Sequence, residues 1–314
     1  VAEAESSIRA LEIGPDGSIW YAGSKGRFGY TKDGQNWNHD SLSHEDSFPE
    51  FRAIAVTEQA TMILSVASPA LLFRTEDNGT TWDLVYKEDH EAAFYDAMTF
   101  WNANEGIAMG DPTDGCISII ITRDGGKSWS KISCDQLPDA ADGEAAFAAS
   151  NTNISVAGDH AWIATGGKKS RILHSPDKGE TWEIFETPMK QGGGMTGMFT
   201  VDFYDENKGI TFGGDWEDKP NNSGNKATTT DGGKTWQLLT DGEGPGYRSC
   251  VQYIPGSGGN EIFAVGIPGV SYSSDGGLTW EEFSDSDFYT IRTTDSVAWL
   301  AGNKKLAKLT FTRR

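Results

Sequence analysis

Cysteine and histidine are scarce in this chain, whose 314 residues include three Cys and five His. No C-x-x-C pair occurs, and the histidines show no spacing typical of a metal site, so we predict neither a metal nor a cofactor. A glycine-rich phosphate loop, a G-x-S-x-G nucleophile elbow and a zinc-binding helix motif are missing too. The sequence therefore lacks the short motifs that usually reveal a catalytic chemistry.

Basic residues are also few, with 26 Lys and Arg against 46 Asp and Glu and a formal net charge of -20. A surface of this charge repels nucleic acid and anionic lipid headgroups, so we expect no nucleic-acid partner. No long apolar run is present, and we therefore expect no membrane insertion.

The first seven residues are acidic and contain no apolar signal segment. Because the chain begins with Val rather than Met, we expect a processed protein that is periplasmic or secreted, with the signal segment absent from this chain. We also expect a monomer.

One octapeptide recurs along the chain with the pattern Ser/Thr-x-Asp-x-Gly-x-Ser/Thr-Trp. Full copies stand at 75–82, 122–129, 175–182, 229–236 and 273–280, and a copy one residue short stands at 31–37. The successive tryptophans lie 45, 47, 53, 54 and 44 residues apart. Because this period is typical of propeller blades, we predict a single domain over residues 1–314.

Each position of the octapeptide suits a hairpin turn. The Asp carboxylate accepts hydrogen bonds from nearby backbone N–H groups, the Gly supplies a positive φ, and the Trp buries a large ring in the following strand. The Asp could instead be a ligand carboxylate, but a residue copied into every repeat does not mark one unique site. We therefore interpret it as the cap of its own turn.

The segments between these turns divide into strands. In the first unit, residues 7–13, 18–23 and 27–31 read as three strands, and Trp37 opens the fourth. The last unit, from Phe288 to Phe311, has three strands and no octapeptide, and residues 1–7 could supply its outer strand. We thus predict an all-β fold, a seven-bladed β-propeller of four-stranded antiparallel blades, with the ring closed by N- and C-terminal strands that share the last blade. One insertion, Gln136 to Ala149, reads as a loop before the fourth blade.

The cysteines allow one cross-link. Cys116 and Cys134 each lie nine residues from Gly125, the middle of the third turn, and would sit opposite one another in a regular hairpin. We hypothesise a disulfide between them, the alternative being two unpaired thiols. Cys250 lies in an apolar strand and is expected to be buried.

Blade topology places the octapeptide turns on one face of the disc and the more variable loops on the other. The second face is predicted to collect polar residues from inner strand ends and loops. Our candidate ligand-binding residues there are Arg52, Asp96, Asp111, Lys168, Arg171, Asp215 and Arg248. Alternatively, these charges are solvated or paired with one another around a water-filled channel.

The octapeptide resembles the Asp-box, or BNR repeat, of sialidases, sortilin-type receptors and photosystem II stability/assembly-factor-like proteins. Over nearly its whole length the chain is most similar to the last group, through passages at 51–52, 96–101, 110–112, 166–171, 213–215 and 246–251. That resemblance implies a propeller and a non-catalytic, assembly-factor-like role outside the cytoplasm. The face opposite the Asp-boxes would then bind a protein partner or a glycan.

The more distant sialidase resemblance implies an alternative function, a carbohydrate-active enzyme with its site at the channel mouth. Its catalytic residues would be Asp96, Glu144 and Tyr247, with Arg52 and Arg248 on the substrate carboxylate. The chain departs from the sialidase pattern because no third arginine can be assigned. A pair of carboxylates would also suit a more general glycoside hydrolase.

Overall fold

Short antiparallel strands make up nearly all the regular structure of residues 2–312, the part of the chain that this computed structural model describes. A 3₁₀ turn, Cys134–Gln136, follows β12. In chain order the strands are β1 (Ala2–Ile13), β2 (Ile19–Gly23), β3 (Arg27–Thr31), β4 (Asn38–Ser41), β5 (Phe51–Val56), β6 (Thr61–Ser65), β7 (Ala70–Thr75), β8 (Asp83–Glu88), β9 (Tyr95–Phe100), β10 (Gly106–Thr113), β11 (Cys116–Thr122), β12 (Ser130–Lys131), β13 (Glu144–Ala145), β14 (Ile154–Ala157), β15 (His160–Ala164), β16 (Gly166–Gly167), β17 (Arg171–Ser175), β18 (Glu183–Glu186), β19 (Thr196–Phe203), β20 (Gly209–Asp215), β21 (Lys226–Thr229), β22 (Gln237–Leu238), β23 (Cys250–Tyr253), β24 (Ile262–Gly266), β25 (Gly269–Ser273), β26 (Glu281–Ser284), β27 (Thr290–Thr293) and β28 (Val297–Thr310).

These strands form antiparallel sheets arranged as a propeller, which confirms the all-β prediction. The sheet orders are β27-β28-β1-β2-β3-β4, β5-β6-β7-β8, β12-β11-β10-β9, β14-β15-β17-β18, β13-β16-β19-β20-β21-β22 and β23-β24-β25-β26. The described residues thus form six sheets, so the prediction of seven four-stranded blades is wrong.

The long terminal strands explain this difference. β1 pairs with β2 from Ile8 to Ile13 and with β28 from Ala2 to Ser7, and β28 also pairs with β27. β1 is therefore one continuous strand that pairs with β28 in its first half and with β2 in its second half. Through β1, the C-terminal strands β27 and β28 join the sheet that contains β2, β3 and β4. The two termini pair with each other as expected, although Val1 lies outside the described residues.

The Asp-box turns have the predicted local structure. In the second copy, Asp77 Oδ1 accepts hydrogen bonds from Thr81 N and Thr75 Oγ1, both at 2.8 Å, and Oδ2 accepts one from Thr81 Oγ1 at 2.7 Å. The backbone N–H of Thr81 in particular lowers the pKa of Asp77 to about 2. Gly79 follows with a φ of 80°, in the region that favours glycine. Each Asp-box carboxylate is therefore used by its own turn.

The core lies between neighbouring sheets. Apolar residues of β5, β6 and β7 pack against those of β9, β10 and β11, and similar clusters follow around the ring. Aromatic rings close several of these layers, as where Trp162 stacks on Phe203 with ring centroids 3.6 Å apart. This packing fixes the inner strands, two of which carry the candidate site residues Arg52 and Asp96.

Both cysteine predictions are confirmed. Cys116 at the start of β11 and Cys134 after β12 form a disulfide, with Cα atoms 5.5 Å apart. Cys250 is a buried free thiol. Within residues 2–312 no helix has the length and apolar character needed to span a bilayer.

Candidate functional site

A segment of the chain lies across the axis of the propeller. Residues 145–153, which we call the plug, contain four alanines around Phe147, followed by four polar residues, Ser150 to Asn153. The plug hydrogen-bonds to residues of β1, β5, β9, β19 and β27, which are inner strands from all around the ring. The predicted loop Gln136 to Ala149 therefore does not stay on the surface, since its last residues enter the channel.

Side chains from three blades hold the first half of the plug. Arg52 Nη1 donates to the carbonyl of Ala148 at 3.0 Å, and Arg9 Nη1 donates to the carbonyl of Ala149 at 3.4 Å. Asp111 Oδ1 accepts a hydrogen bond from Ala146 N at 2.7 Å. Two arginines of inner strands, in β1 and β5, and one carboxylate in β10 are thus used to bind backbone groups.

Asn151 anchors the second half. Its side chain accepts a hydrogen bond from Met98 N and donates one to the carbonyl of Ile54, both at 2.9 Å. Its φ of 62° lies in the left-handed region, which Asn tolerates better than most residues. Ser150 and Thr152 add bonds to Ser249 and Thr200. Because these contacts are buried and mutually satisfied, the plug is a fixed part of the channel.

The plug leaves a cavity on each side. On the inner side lies a polar space of about 180 Å³ that includes Asp202 and Arg292. On the face opposite the Asp-boxes lies a space of about 370 Å³, which we call the mouth cavity. Its lining is Arg9, Arg52, Phe94, Asp111, residues 145–149, Gly194, Met195, Phe199, Trp216 and Tyr247.

Aromatic rings form the wall of the mouth cavity. Phe147 stacks on Phe199 with centroids 3.9 Å apart, and Tyr247 meets Phe199 and Trp216 edge to face at 4.8 and 5.4 Å. Met195 stands at the rim with 38% of its surface exposed. Of these residues the sequence analysis named only Tyr247; Phe147, Phe199 and Trp216 were missed, because they come from distant segments without a shared motif.

Two carboxyl groups lie beside the cavity in unusual surroundings. Asp96 is fully buried, and within the described residues neither of its carboxylate oxygens has a hydrogen-bond partner. Burial and the repulsion of Asp111 raise the pKa of Asp96 well above its ordinary value, against the attraction of Arg52. Burial also raises the pKa of Asp111 to about 6, although the bond from Ala146 opposes this shift. These surroundings favour the neutral form of both carboxyl groups.

The structure brings three predicted ligand residues, Arg52, Asp96 and Asp111, to this one place. The other four form separate ion pairs away from it. These pairs are Lys168 with Asp142 at 3.2 Å, Arg171 with Glu144, Asp215 with Lys190 at 3.2 Å, and Arg248 with Glu282 at 3.1 Å. Each of those four residues therefore has a charged partner outside the mouth cavity.

The three candidate catalytic residues are all buried: Asp96, Glu144 and Tyr247. Glu144 accepts bonds from Arg171 and from Thr165 Oγ1, the latter at 2.6 Å. Burial raises the pKa of Tyr247, which keeps its hydroxyl protonated. Within residues 2–312 no three His, Cys, Asp or Glu side chains are grouped to hold a metal ion.

Two parts of the chain match models of known protein families. Residues 86–205 match the family model described as "Photosynthesis system II assembly factor YCF48", and residues 227–238 match the BNR/Asp-box repeat. No curated protein sequence matches the chain.

Solved structures with a similar fold cover almost the whole chain. The structure of YCF48 bound to D1 peptide has 16% sequence identity and a TM-score of 0.70, covering 99% of this chain and 93% of that one. YCF48 from Cyanidioschyzon merolae has 14% identity and a TM-score of 0.71, covering 99% and 97%. The WD40 β-propeller domain of Doa1 has 9% identity and a TM-score of 0.70, covering 100% and 96%. The matches confirm the resemblance: this chain is an Asp-box β-propeller similar to the photosystem II assembly factor YCF48 family.

Proposed function

We propose that this protein is a non-catalytic binding propeller, similar to the assembly factors, that holds a segment of a partner protein in the mouth cavity. The observation that carries the proposal is the plugged channel. The plug closes the axis and leaves an open cavity with aromatic walls and two arginines on the face opposite the Asp-boxes. A concave, mostly apolar space with a few placed polar groups is the usual form of a binding site.

A similar solved propeller, YCF48, has been determined with a D1 peptide bound, which supports a peptide ligand here. The acidic balance of this chain, with a net charge of -20, means that its own partner segment need not resemble that peptide. We therefore define the partner by the chemistry of the cavity rather than by analogy.

The burial of the candidate catalytic groups disfavours the hydrolase alternative. A glycoside hydrolase needs two carboxyl groups that both reach the scissile bond. Asp96 is sealed behind Asp111, and Glu144 is fully engaged by Arg171 and Thr165. A substrate in the mouth cavity would touch Asp111 alone, which does not provide the required pair.

We also propose a location outside the cytoplasm. The disulfide between Cys116 and Cys134 supports this, because disulfides persist in oxidising compartments and are rare in the cytosol. Alkylation of thiols during rapid acid lysis of the native cells measures the state of the pair. Labelling of Cys250 alone after denaturation agrees with the proposal, and labelling of all three cysteines contradicts it.

Site-specific photo-crosslinking in living cells tests the function. Benzoylphenylalanine replaces Met195 at the rim of the mouth cavity, and in a matched variant it replaces Leu278, which is 55% exposed in the last Asp-box turn on the opposite face. We expect a discrete crosslinked product at position 195 and none at position 278. Equal crosslinking at the two positions, or none at position 195, would contradict binding of a partner segment in the mouth cavity.

A further inference from the structure

We infer that the mouth cavity takes one large apolar side chain from an acidic or neutral segment of the partner, and that this binding takes up a proton at Asp111. The inference rests on the proposed function and adds the chemistry of the ligand.

The walls select an apolar group. The stacked pair of Phe147 and Phe199, with Trp216 beyond it, surrounds a space of about 370 Å³. This volume is near the lower end for ligand sites, so it suits one large side chain with its adjoining backbone rather than an extended oligosaccharide. Aromatic surfaces of this kind are frequent anchoring points at interfaces.

The charged residues that line the mouth cavity determine which residues are favoured beside the anchor in the partner segment. Arg9 and Arg52 line the cavity, and each donates a hydrogen bond to a plug carbonyl that carries no formal charge. Glu50 offsets Arg52, with 3.2 Å between Arg52 Nη2 and Glu50 Oε1, whereas Arg9 lies over the Tyr289 ring. Below about pH 6, where Asp111 is protonated, the remaining positive charge repels lysine and arginine on either side of the anchor and favours acidic or neutral neighbours.

Asp111 couples binding to protons. Its carboxyl group lines the cavity, and the other titratable side chains that face it are Arg9, Arg52 and Tyr247 in the lining and Asp96 behind it. Asp96 has no hydrogen-bond partner in the described residues, and its burial favours the neutral form of its carboxyl group. An apolar side chain in the cavity removes water from Asp111, which disfavours its ionised form. The protonated form is therefore the better receptor, and affinity rises as the pH falls toward about 6.

Uncharged capped peptides make the test independent of the natural partner. The full chain is titrated with acetyl-Gly-Phe-Gly-amide and acetyl-Gly-Ser-Gly-amide, and the indole N–H resonance of Trp216 is followed by NMR at pH 7.5 and pH 5.5. We expect the Phe peptide to bind about tenfold or more tightly than the Ser peptide. We also expect its affinity to be about three- to tenfold higher at pH 5.5. Equal binding of the two peptides, or tighter binding at pH 7.5, would overturn the inference.

Three variants separate the steps. Ala148→Leu fills the cavity and should abolish binding of the Phe peptide, whereas Leu278→Ser on the opposite face should leave it unchanged. Asp111→Asn keeps the side-chain shape, so it should bind at pH 7.5 as wild type does at pH 5.5 and lose the pH dependence. A pH dependence that persists in Asp111→Asn contradicts the proton step.

A lysine-flanked peptide, acetyl-Lys-Phe-Lys-amide, tests the charge preference at pH 5.5, where Asp111 is protonated, and should bind several-fold more weakly there than the uncharged Phe peptide. Equal affinity contradicts that preference. Crosslinking at position 195 that survives Ala148→Leu would overturn the apolar anchor while leaving the proposed function intact.

Discussion

Two carboxyl groups on opposite faces of this propeller, those of Asp77 and Asp111, have pKa values shifted in opposite directions. Asp77, in an Asp-box turn, accepts three hydrogen bonds from its own turn, and the pKa of Asp77 falls to about 2. Asp111, at the mouth cavity, accepts one, and burial raises the pKa of Asp111 to about 6. The difference shows that the repeated Asp-box carboxylates stabilise their turns, whereas Asp111, which belongs to no repeat, lies in a partly desolvated site that a ligand can enter.

The largest expected effect concerns the plug, on which the mouth face depends. Asn151→Ala leaves Met98 N and the carbonyl of Ile54 buried without partners, so we expect a loss of about 3 kcal/mol in the free energy of unfolding. Asn153→Ala is the matched control, because within the described residues the Asn153 amide has no hydrogen-bond partner. Urea unfolding followed by tryptophan fluorescence measures both variants. Equal losses would mean that the plug is not held by Asn151.

The next effect sharpens the contrast in carboxylate chemistry. The pKa of Asp111 is raised in the folded state, so its contribution to stability is full below about pH 3.8 and is lost as the pH rises through about 6. Asp111→Asn removes this penalty and should raise the free energy of unfolding at pH 7 by up to about 3 kcal/mol. At pH 4 the gain should nearly vanish. A variant less stable than wild type at pH 7 would show that the hydrogen bond from the plug to Asp111 stabilises the protein more than burial of the carboxylate destabilises it.

The smallest effect belongs to the opposite face. Asp231→Ala removes the hydrogen bonds from Thr235 N and Thr235 Oγ1 and should lower the free energy of unfolding by about 1 kcal/mol, as for a lost helix cap. Although partial desolvation opposes the shift, hydrogen bonds from Thr235 lower the pKa of Asp231, so this loss should shrink as the pH falls below the ordinary pKa of a carboxyl group. Thermal unfolding measures it. A changed affinity for the capped Phe peptide would contradict a purely structural role.

Local features of the fold were predictable from the sequence. The Asp-box turn is encoded within eight residues, so its capping Asp and its Gly at positive φ could be assigned directly. The disulfide followed from the symmetric placement of Cys116 and Cys134 about one turn. These features depend on neighbours in the chain, and the repeat reports them several times.

Long-range features were not predictable. The plug binds through backbone carbonyls and an asparagine to residues about 50 to 140 positions away, as for Asn151 with Ile54 and Thr290 with Ser150, and no spacing in the sequence indicates such contacts. The number of sheets was predicted wrongly for a related reason. The sequence indicated that the terminal strands pair with each other, but not that they continue into the first sheet. The aromatic wall likewise needed the fold to bring Phe147, Phe199 and Trp216 together.

The contrast between the two faces can be measured directly by titrating the side-chain carboxyl carbons of Asp111 and Asp77 with ¹³C NMR between pH 2 and pH 8. Asp111→Asn and Asp77→Asn spectra assign the two resonances. We expect a titration midpoint of about 6 for the Asp111 carboxyl group and about 2 for that of Asp77. A midpoint for Asp111 near its ordinary value of 3.8 would mean that water reaches this carboxyl freely, and the mouth cavity would then not be the desolvated binding site described here.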